Sequence, residues 1–569
     1  MQPSGYHLTS LLFHCAAAFL VYLLSVRLLT LATRSSTAST DLPVKIAAGF
    51  ATLIFAIHPL RVEPIAWASG RENVVAGPFF ILTLICYLRA VEMEPLRASY
   101  QKWMNVAWLS YALSLLGKGA GVTLPFALLL LDVYPLRRLG GMPGKWFGAE
   151  VRRVWWEKAP FFSISLIAGL LAVYGKQQSN LMYGLEEYGI AERLVQTVYG
   201  IIFYLWKTLV PVDLSNLYEM ETLSLVDWRF ILSGLLVVAI TAALWAVRQR
   251  WPWGLVTWMS YLVILLPYIG VAQNGPQIAA DRYSYLACLG WSLIAGAGAL
   301  YCWRAWQTGK IKRPIFLGIQ GTAISIVALL GVLTWKQTQV WRDSETLWRH
   351  ALSINDKSFF AHHFLATALL AKDKSQEAIH HFRTSLALNP NYASAHAGLA
   401  NALSERGDLD QAVEQYHKAL QLDPGSMESH YNLARVLTKQ GNVEAAIDHY
   451  SRALAINPHD LDTRNNLGLL LAARGDGADA IKHFQEALRV DPGYARAHFN
   501  LGRVLTQQGS LNEAIAHFRR ALQLEPGVAE IHENLGRALA MQGNRQEANE
   551  HLTEAVRILK SQPPLQPNP

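Results

Sequence analysis

Ionisable side chains cluster in a short segment near the N-terminal end of this 569-residue chain, between two apolar stretches. Residues 58–74 read HPLRVEPIAWASGRENV. A charged group at a membrane boundary is unfavourable unless it is paired or takes part in function. The segment is therefore either an interfacial turn held by salt bridges or part of a functional site. Its ionisable residues are His58, Arg61, Glu63, Arg71 and Glu72.

Two other segments repeat this combination of charged groups and apolar flanks. Residues 272–290, AQNGPQIAADRYSYLACLG, bring Asp281 and Arg282 to the start of an apolar stretch. Residues 115–138, LLGKGAGVTLPFALLLLDVYPLRR, carry Lys118 in a tight turn. All three segments join apolar stretches, so their positions depend on how those stretches cross a membrane.

The elements that must position these segments are membrane helices. Hydrophobic residues make up 52% of the chain and charged residues only 16%, and the long apolar stretches lie within residues 7–335. A membrane-spanning helix needs about 20 predominantly apolar residues. The sequence therefore predicts about ten spans. They are placed at residues 7–31, 44–57, 72–90, 104–117, 119–134, 158–174, 229–247, 253–271, 284–302 and 315–335.

Three short basic loops predict the orientation of this region. Loops on the cytoplasmic side are enriched in Lys and Arg, which explains the net charge of +8 without nucleic-acid binding. The segments 58–71, 175–228 and 272–283, and everything after Leu333, are then extracytoplasmic, which means periplasmic in a bacterium or luminal in the endoplasmic reticulum. The basic residues are Arg137, Arg138, Lys145, Arg152, Arg153, Lys158, Arg248, Arg250, Arg304, Lys310, Lys312 and Arg313.

The same orientation has two local consequences. Asp132 falls near the cytoplasmic end of its span, where we expect it to pair with Arg137 or Arg138. Residues 193–210 are apolar enough to span, but the alternation of sides favours a helix lying along the outer interface. The N-terminus is also placed outside, from which we expect a further span and loop ahead of Met1.

The C-terminal part of the chain is a tandem repeat. Five prolines stand 34 residues apart, which is the period of a helix–turn–helix tetratricopeptide repeat (TPR). Glycines recur with the same period in the turn between the two helices. The prolines are Pro390, Pro424, Pro458, Pro492 and Pro526, and the glycines are Gly407, Gly441, Gly475, Gly509 and Gly543. The pattern resembles the TPR consensus and predicts six units.

The sequence thus predicts an all-α protein, with a polytopic membrane domain followed by a TPR solenoid. The membrane domain covers residues 1–335, and residues 336–358 form a connector with half a repeat. Six repeats occupy residues 359–562, and the Pro-rich residues 563–569 form a disordered tail.

Two polar residue types recur on the first helix of the repeats. Four asparagines share a position that faces the inner groove of a TPR array, where amides bind the backbone of an extended peptide. The alternative is a set of solubilising side chains. The recurring histidines are expected to pack between helices, because histidines one repeat apart are too far from each other to share a metal ion. These residues are Asn432, Asn466, Asn500 and Asn534, and His362, His396, His430, His498 and His532.

The motifs together resemble one family. HPLRVEPIAWASGR, the Lys118 turn with VTLPFALLLLDVYPLRR, ADRYSYL, and VWRDSETLW leading into repeats are similar to multi-spanning membrane proteins with C-terminal TPRs. That family includes transmembrane O-mannosyltransferases and their bacterial relatives, which resemble the GT-C glycosyltransferases. The resemblance extends over nearly the whole chain, and it implies a polyprenyl-phosphate sugar as the donor.

This resemblance suggests roles for the polar residues. Arg61, Arg71, Lys118 and Arg282 are the expected ligands of the donor phosphate, with His58 and Asp281 as associated polar groups. GT-C enzymes carry a catalytic carboxylate in the first outer loop, and we expect that loop to lie ahead of Met1. Glu63 is the substitute candidate for the base, or else a structural partner of an arginine. No resident cofactor or metal site is implied, and a divalent-metal requirement stays open.

Two functions follow as alternatives. In the first, the protein transfers a sugar from the lipid-linked donor to Ser or Thr of a protein docked in the TPR groove. Mannose is the sugar that the resemblance leads us to expect. In the second, it is a non-catalytic membrane anchor that presents the TPRs as a scaffold for protein partners. Donor dependence separates the two, because only the transferase requires the lipid-linked sugar.

Overall fold

The computed structural model describes most of the chain. The described residues are 3–33, 41–67, 70–93, 97–117, 119–139, 146–148, 151–178, 189–219, 227–269 and 277–561. They form two compact units, which are divided between Asp356 and Lys357. Both units are helical, as the sequence predicts.

The first unit contains fourteen helices among its described residues, together with one pair of short antiparallel strands, β1 (Tyr218–Glu219) and β2 (Gln277–Ala279). The helices are α1 (Pro3–Thr33), α2 (Leu42–Ile57), α3 (Val62–Ala66), α4 (Arg71–Val91), α5 (Ala98–Gly117), α6 (Leu124–Val133), α7 (Arg152–Gln178), α8 (Ile190–Leu209), α9 (Trp228–Ala246), α10 (Pro252–Leu265), α11 (Ser284–Ala287), α12 (Leu289–Gln307), α13 (Arg313–Val340) and α14 (Ser344–Ile354).

Five of the described helices are long and apolar enough to cross a membrane, and two bent helix pairs raise the number to seven. The bent pairs are residues 42–66 and 281–307. Helices α7, α9 and α13 keep most of their apolar side chains exposed in the protein, as expected where lipid is the neighbour. Helices α5, α6, α8 and α10 do not meet the same criteria. The count of ten spans and the interfacial position of α8 stay predictions.

The core of the first unit lies where α4 packs against α1 and α5. Its largest buried side chains are aromatic, among them Tyr87, Tyr111, Tyr204, Trp258 and Tyr285. Buried aromatic rings contribute large apolar areas, and their hydroxyl groups need partners. The hydroxyl of Tyr204, for example, receives a hydrogen bond from the backbone N–H of Ala280 at 2.8 Å.

The second unit consists of six helix pairs. The pairs are α15 (Phe359–Leu370) with α16 (Ser375–Leu388), α17 (Ala393–Arg406) with α18 (Leu409–Leu422), α19 (Met427–Lys439) with α20 (Val443–Ile456), α21 (Leu461–Arg474) with α22 (Gly477–Val490), α23 (Ala495–Gln507) with α24 (Leu511–Leu524), and α25 (Ala529–Gln542) with α26 (Arg545–Ser561). We number these helix pairs as repeat units 1 to 6; a unit with a number always means one of these repeats and not one of the two compact parts of the chain. The tail after residue 561 lies outside the described residues.

The turn inside each pair explains the recurrent glycine. Gly407, Gly475 and Gly543 follow the last residue of a first helix with φ between 93° and 104°, a left-handed conformation that ends helices and that glycine adopts without strain. Unit 1 carries Asp373 at the equivalent position, with φ of 60°. Aspartate tolerates this region better than most side chains do.

Candidate functional site

The segment that opens the candidate site is a sharp turn between α2 and α4. Helix α2 ends at Ile57, a 3-10 turn covers Pro59–Arg61, and α3 follows directly. His58 is buried and holds the turn: its Nδ1 accepts from the N–H of Leu60 at 3.2 Å, and its Nε2 lies 3.0 Å from the carbonyl oxygen of Thr208. Both ring nitrogens are thus engaged, so His58 positions the backbone.

Glu63 and Arg282 form a buried ion pair that joins two of the sequence-predicted segments. Arg282 Nη1 lies 2.5 Å from Glu63 Oε1, and the backbone N–H of Arg282 donates to Oε2 at 2.9 Å. Glu63 is only 1% exposed. The guanidinium also stacks over Trp67, 4.7 Å from the ring centre. Of the two roles expected for Glu63, this geometry favours the structural partner over an accessible base.

Arg61 is buried close by, and its contacts differ in kind. Its Nε donates to the carbonyl oxygen of Phe55 and its Nη1 to the hydroxyl of Ser284, each at 3.3 Å. The guanidinium also faces the rings of Phe55 and Tyr285 at 4.9 and 5.4 Å. Within the part of the chain that the structure describes, no carboxylate lies within ion-pair distance of Arg61. Among the described residues, dipoles, the Cys288 side chain and aromatic rings are what face this positive charge.

Asp281 begins the 3-10 turn that carries Arg282 and is 2% exposed. Its Oδ1 accepts a hydrogen bond from the hydroxyl of Tyr218 at 3.0 Å, and its carbonyl oxygen accepts from Ser284. The carboxylate therefore helps hold β1 against this turn. Asp281 and Glu63 are both enclosed, and neither presents a carboxylate to solvent.

Arg71 is the predicted phosphate ligand that stays partly exposed. It opens α4, whose N-terminus has no side-chain cap at Gly70. Its guanidinium carbon lies 5.7 Å from the ring centre of Tyr6. Unsatisfied amides at a helix N-terminus attract anions, and a cationic side chain strengthens that attraction. Glu72, the next residue after Arg71, is exposed. The sequence analysis assigned no role to Glu72.

Lys118 lies outside the described residues, but its neighbour is placed. Gly117, the last residue of α5, approaches Ala76 so closely that an added Cβ would stand 3.2 Å from its backbone. Ala76 follows Arg71 by five residues in α4, which is about 7.5 Å along the helix axis. The end of α5 therefore runs beside the first turns of α4.

An apolar cavity of about 370 Å³ is lined by Phe80 and Leu84 of α4, further along that helix than Arg71. Ala287 and Leu289 line one end, a few residues after Arg282, and Tyr301 and Arg304 line the other. The cavity follows α12 over 15 residues, which is about 22 Å at 1.5 Å per residue. An apolar cleft of this size next to a few polar groups is typical of a ligand site.

A second buried cluster joins α4, α6 and α7. Asp132 Oδ2 lies 2.6 Å from Lys158 Nζ, its Oδ1 lies 3.1 Å from Arg138 Nη1, and both oxygens accept from the hydroxyl of Tyr87. The predicted pairing of Asp132 with Arg138 is confirmed. Lys158 is wholly buried in this cluster, whereas the sequence analysis counted it among the basic residues of a short loop. Arg138 also pairs with Glu157 at 2.7 Å.

The recurring asparagines lie on the first helices of units 3 to 6, partly or wholly buried. Asn466 Nδ2 donates to the hydroxyl of Tyr431 at 3.2 Å, and Asn500 Nδ2 donates to Asn465 Oδ1 at 2.8 Å. Each contact links neighbouring units. The role of these amides in peptide binding stays a prediction.

The recurring histidines are buried between helices, as predicted. The structure adds a partner that the sequence pattern did not reveal, 19 residues further on in the second helix of the same unit. The Nδ1 atoms of the two rings lie 2.9 to 3.0 Å apart. The pairs are His362 with His381, His430 with His449, His498 with His517, and His532 with His551. Among the described residues, no group of three or more potential ligands is arranged to hold a metal ion.

Known proteins resemble both parts of the chain. Tetratricopeptide repeat models match residues 365–426, 398–460 and 465–529, and a second such model matches residues 505–568. The solved structure of YrrB, described as a TPR protein with an unusual peptide-binding site, is 28% identical with a TM-score of 0.28. It covers 32% of this chain and 93% of its own.

Curated relatives extend the resemblance beyond the repeats. Protein O-mannosyl-transferase TMTC1 of Homo sapiens is 24% identical over 425 residues, which is 68% of this chain and 46% of that protein. Protein O-mannosyl-transferase TMTC4 of Mus musculus is 26% identical over 425 residues, 67% of this chain and 55% of that protein. This chain thus spans about half the length of these relatives. The resemblance inferred from the sequence is confirmed: the chain is similar to the TMTC protein O-mannosyl-transferases and carries tetratricopeptide repeats in its C-terminal part.

Proposed function

We propose that this protein is a membrane glycosyltransferase that transfers a sugar from a polyprenyl-phosphate donor to Ser or Thr of a protein held by its repeats. The observation that carries the proposal is the similarity to protein O-mannosyl-transferases over about two thirds of the chain. Mannose is the sugar that this similarity favours. We place the site on the extracytoplasmic side, where the repeats and the turns before α4 and α11 would meet the acceptor.

In this proposal the donor phosphate binds at the start of α4. Arg71 is partly exposed there, and the first-turn amides of α4 lack a side-chain cap. The buried pair of Glu63 and Arg282 holds the adjacent turn in place, and Arg61 adds a positive charge behind it. The apolar cavity along α12 would receive part of the isoprenoid chain. A positive, preorganised site of this kind stabilises the negative charge that develops on a leaving phosphate.

The base that deprotonates the acceptor hydroxyl must be reachable by it. Of Glu63, Glu72 and Asp281, the three carboxylates described in these turns, only Glu72 is exposed. We therefore assign the role of base within this chain to Glu72, next to the proposed phosphate ligand.

Arg71→Ala tests the site directly. The purified variant is placed in liposomes and supplied with dolichyl-phosphate mannose and an acceptor protein. It should transfer mannose about 100-fold more slowly than the unsubstituted protein, or slower still, because an electrostatic contact of this kind is worth roughly 10²–10³ in rate. Arg71→Lys should keep part of the activity. Arg250→Ala, at an exposed position on the opposite side in our topology, is the matched control and should leave transfer unchanged. Full transfer by Arg71→Ala would exclude this phosphate site.

One observation favours a second function, a non-catalytic membrane-anchored scaffold. Glu63 and Asp281 are both enclosed and bonded, so a single exposed carboxylate is left in the described turns. A scaffold predicts that partner proteins bind with equal affinity whether or not the donor is present, and that no sugar is transferred. The liposome assay, run with and without donor, separates the two functions.

A further inference from the structure

The first helices of the repeats form a continuous surface. Successive first helices pack against each other, as α21 does with α23 and α23 with α25. The contacts of Asn466 with Tyr431 and of Asn500 with Asn465 lie on this side. In a curved helical solenoid, this is the kind of surface that binds partners. We call the sixth and ninth residues of the first helices of units 3 to 5 the inner face. They are Asn432, Arg435, Asn466, Leu469, Asn500 and Arg503.

Two arginines of the inner face are exposed and held in position. Arg435 stacks on Tyr431 and Arg503 on Phe499, each with its guanidinium carbon 5.7 Å from the ring centre. Arg435 also donates to Asn432 Oδ1 at 3.2 Å. Stacking leaves the edge of each guanidinium, which carries its hydrogen-bond donors, available to a carboxylate.

These two arginines differ from most others in the repeats. Throughout the part of the chain that the structure describes, no carboxylate lies within ion-pair distance of either of them. Most of the other described arginines in the repeats lie within ion-pair distance of Asp or Glu, Arg496 among them. The other paired residues are Arg406, Arg452, Arg474, Arg489, Arg519, Arg537 and Arg557. The centre of the inner face therefore has positive charge that the protein itself leaves unmatched.

Leu469 holds the same position in unit 4, between the two arginines, and is 36% exposed. The inner face thus presents a cation, an apolar side chain and a cation, at steps of one repeat. Neighbouring packed helices lie about 8–10 Å apart. An extended peptide advances about 3.3 Å per residue, so roughly three of its residues match one step.

Acidic residues near the inner face do not cancel this pattern. Asp462 is already engaged, because it accepts from the hydroxyl of Tyr494 at 2.7 Å and lies 3.6 Å from Arg496. Glu533 pairs with Arg537 in unit 6. Glu428 lies seven residues before Arg435, which is two helical turns or about 10 Å away.

We propose that the inner face binds an extended segment of a partner protein in which two acidic side chains flank an apolar one, each three residues from the next. Arg435 and Arg503 bind the carboxylates, Leu469 contacts the apolar side chain, and the amides of the half-buried Asn432 and Asn466 bond to the peptide backbone. The proposal rests on the proposed function only in taking that partner to be the acceptor. The binding itself requires neither donor nor catalysis.

The test uses the full chain in lipid nanodiscs and a fluorescein-labelled 13-residue Gly/Ser peptide with Asp at positions 4 and 10 and Leu at position 7. Fluorescence anisotropy should show saturable binding that weakens as salt rises. A peptide with Lys in place of both Asp residues should bind at least tenfold more weakly. Moving the second Asp to position 11 should also reduce affinity, because the acid no longer reaches the second arginine.

The variants locate the binding surface. The double variant Arg435→Ala/Arg503→Ala should lose at least tenfold in affinity, whereas Arg452→Ala/Arg489→Ala, on exposed faces of second helices, should not. Circular dichroism must show both variants folded. Equal binding of the Lys peptide, unchanged binding by the Arg435/Arg503 variant, or no saturable binding would each overturn the proposal. Binding without sugar transfer would keep it and reject the transferase, and transfer without such binding would do the reverse.

Discussion

At the scale of single residues, the carboxylates of the candidate site divide by exposure. Glu63 is enclosed and bonded to Arg282 through both of its oxygens, whereas Glu72 is exposed beside Arg71. A buried carboxylate paired with an arginine contributes to folding, and removal of one partner leaves the other charge uncompensated. The two glutamates should therefore respond differently to the same substitution.

Glu63→Gln should lower the stability of the membrane unit, by roughly 3–5 kcal/mol by analogy with other broken buried ion pairs. Glu72→Gln should leave stability nearly unchanged and reduce sugar transfer. Thermal unfolding in detergent, followed by tryptophan fluorescence, measures the first effect, and the liposome transfer assay measures the second. The double variant Glu63→Met/Arg282→Met should recover much of the stability lost in Glu63→Gln. A stable but inactive Glu63→Gln protein would instead identify Glu63 as the base.

The sequence was sufficient to find this cluster but not its pairings. Charged residues between apolar stretches identified the turns around Glu63 and Arg282, because few other charges interrupt the membrane region. The ion pair joins residues 219 positions apart, and a contact of that range depends on how the helices pack. The exposure of Arg71 and Glu72, and the burial of Lys158, depend on the same packing.

At the scale of elements, the histidine pairs connect the two helices of a repeat. In unit 5 the Nε2 of His498 lies 3.2 Å from the carbonyl oxygen of Pro492, so this nitrogen carries the proton and donates it. The Nδ1 of His498 then accepts from the Nδ1–H of His517, 2.9 Å away. When both rings are protonated, neither can accept this hydrogen bond, and two positive charges face each other.

The pair of His430 and His449 predicts that acid destabilises the repeats. Burial, the neighbouring rings of His430 and His417, and Arg452 lower the pKa of His449 to about 4, against an opposing effect of Asp448. Burial also lowers the pKa of His430. Above pH 6.5 both the folded and the unfolded state are neutral at these rings. Between pH 6.5 and about 4 the unfolded state binds protons that the folded state does not. The free energy of unfolding of the repeats therefore decreases as the pH is lowered through this range.

Hydrogen exchange of the full chain in nanodiscs measures this effect locally, once the intrinsic pH dependence of exchange is subtracted. Helices α19 and α20 should open more readily at pH 5 than at pH 7. His449→Gln is the matched variant, because unit 2 already carries Gln415 in the equivalent position, 2.8 Å from His396. The variant should keep the hydrogen bond and show a smaller pH dependence. An equal pH dependence in both proteins would contradict a role for this pair.

The repeat elements were predictable because their period is visible in the chain itself. Each unit buries a leucine at the same position of its first helix and turns at the same places, so a leucine, a proline and a glycine each recur every 34 residues. The histidine partners were harder to foresee. They lie 19 residues after the first histidine, but Gln415 interrupts the series in unit 2 and Arg464 replaces the first histidine in unit 4.

At the scale of the whole molecule, our proposal requires a particular topology. The basic loops predict that Arg250 is cytoplasmic and that the repeats are extracytoplasmic. The four native cysteines lie at positions 15, 86, 288 and 302, so the repeats contain none. In a background with these four replaced, single cysteines at the exposed positions 391 and 250 can report the two sides.

Asn391→Cys should react with a membrane-impermeant maleimide added to the extracytoplasmic side of intact cells or right-side-out vesicles. Arg250→Cys should react only after the membrane is permeabilised. The expected contrast is nearly complete, because the reagent does not cross the bilayer. The reverse pattern would place the repeats in the cytoplasm and remove the acceptor from the proposed site.

The burial of Arg61 has a consequence for how the protein would respond to its surroundings. A guanidinium stays protonated throughout the physiological pH range, and this one has no carboxylate partner among the described residues. It therefore supplies a constant positive potential behind the proposed phosphate site. Ions in solution screen such an enclosed charge weakly. The contribution of Arg61 to the retention of an anionic lipid should then vary little between pH 5 and 8 or with salt, whereas the contribution of the partly exposed Arg71 should weaken as salt rises.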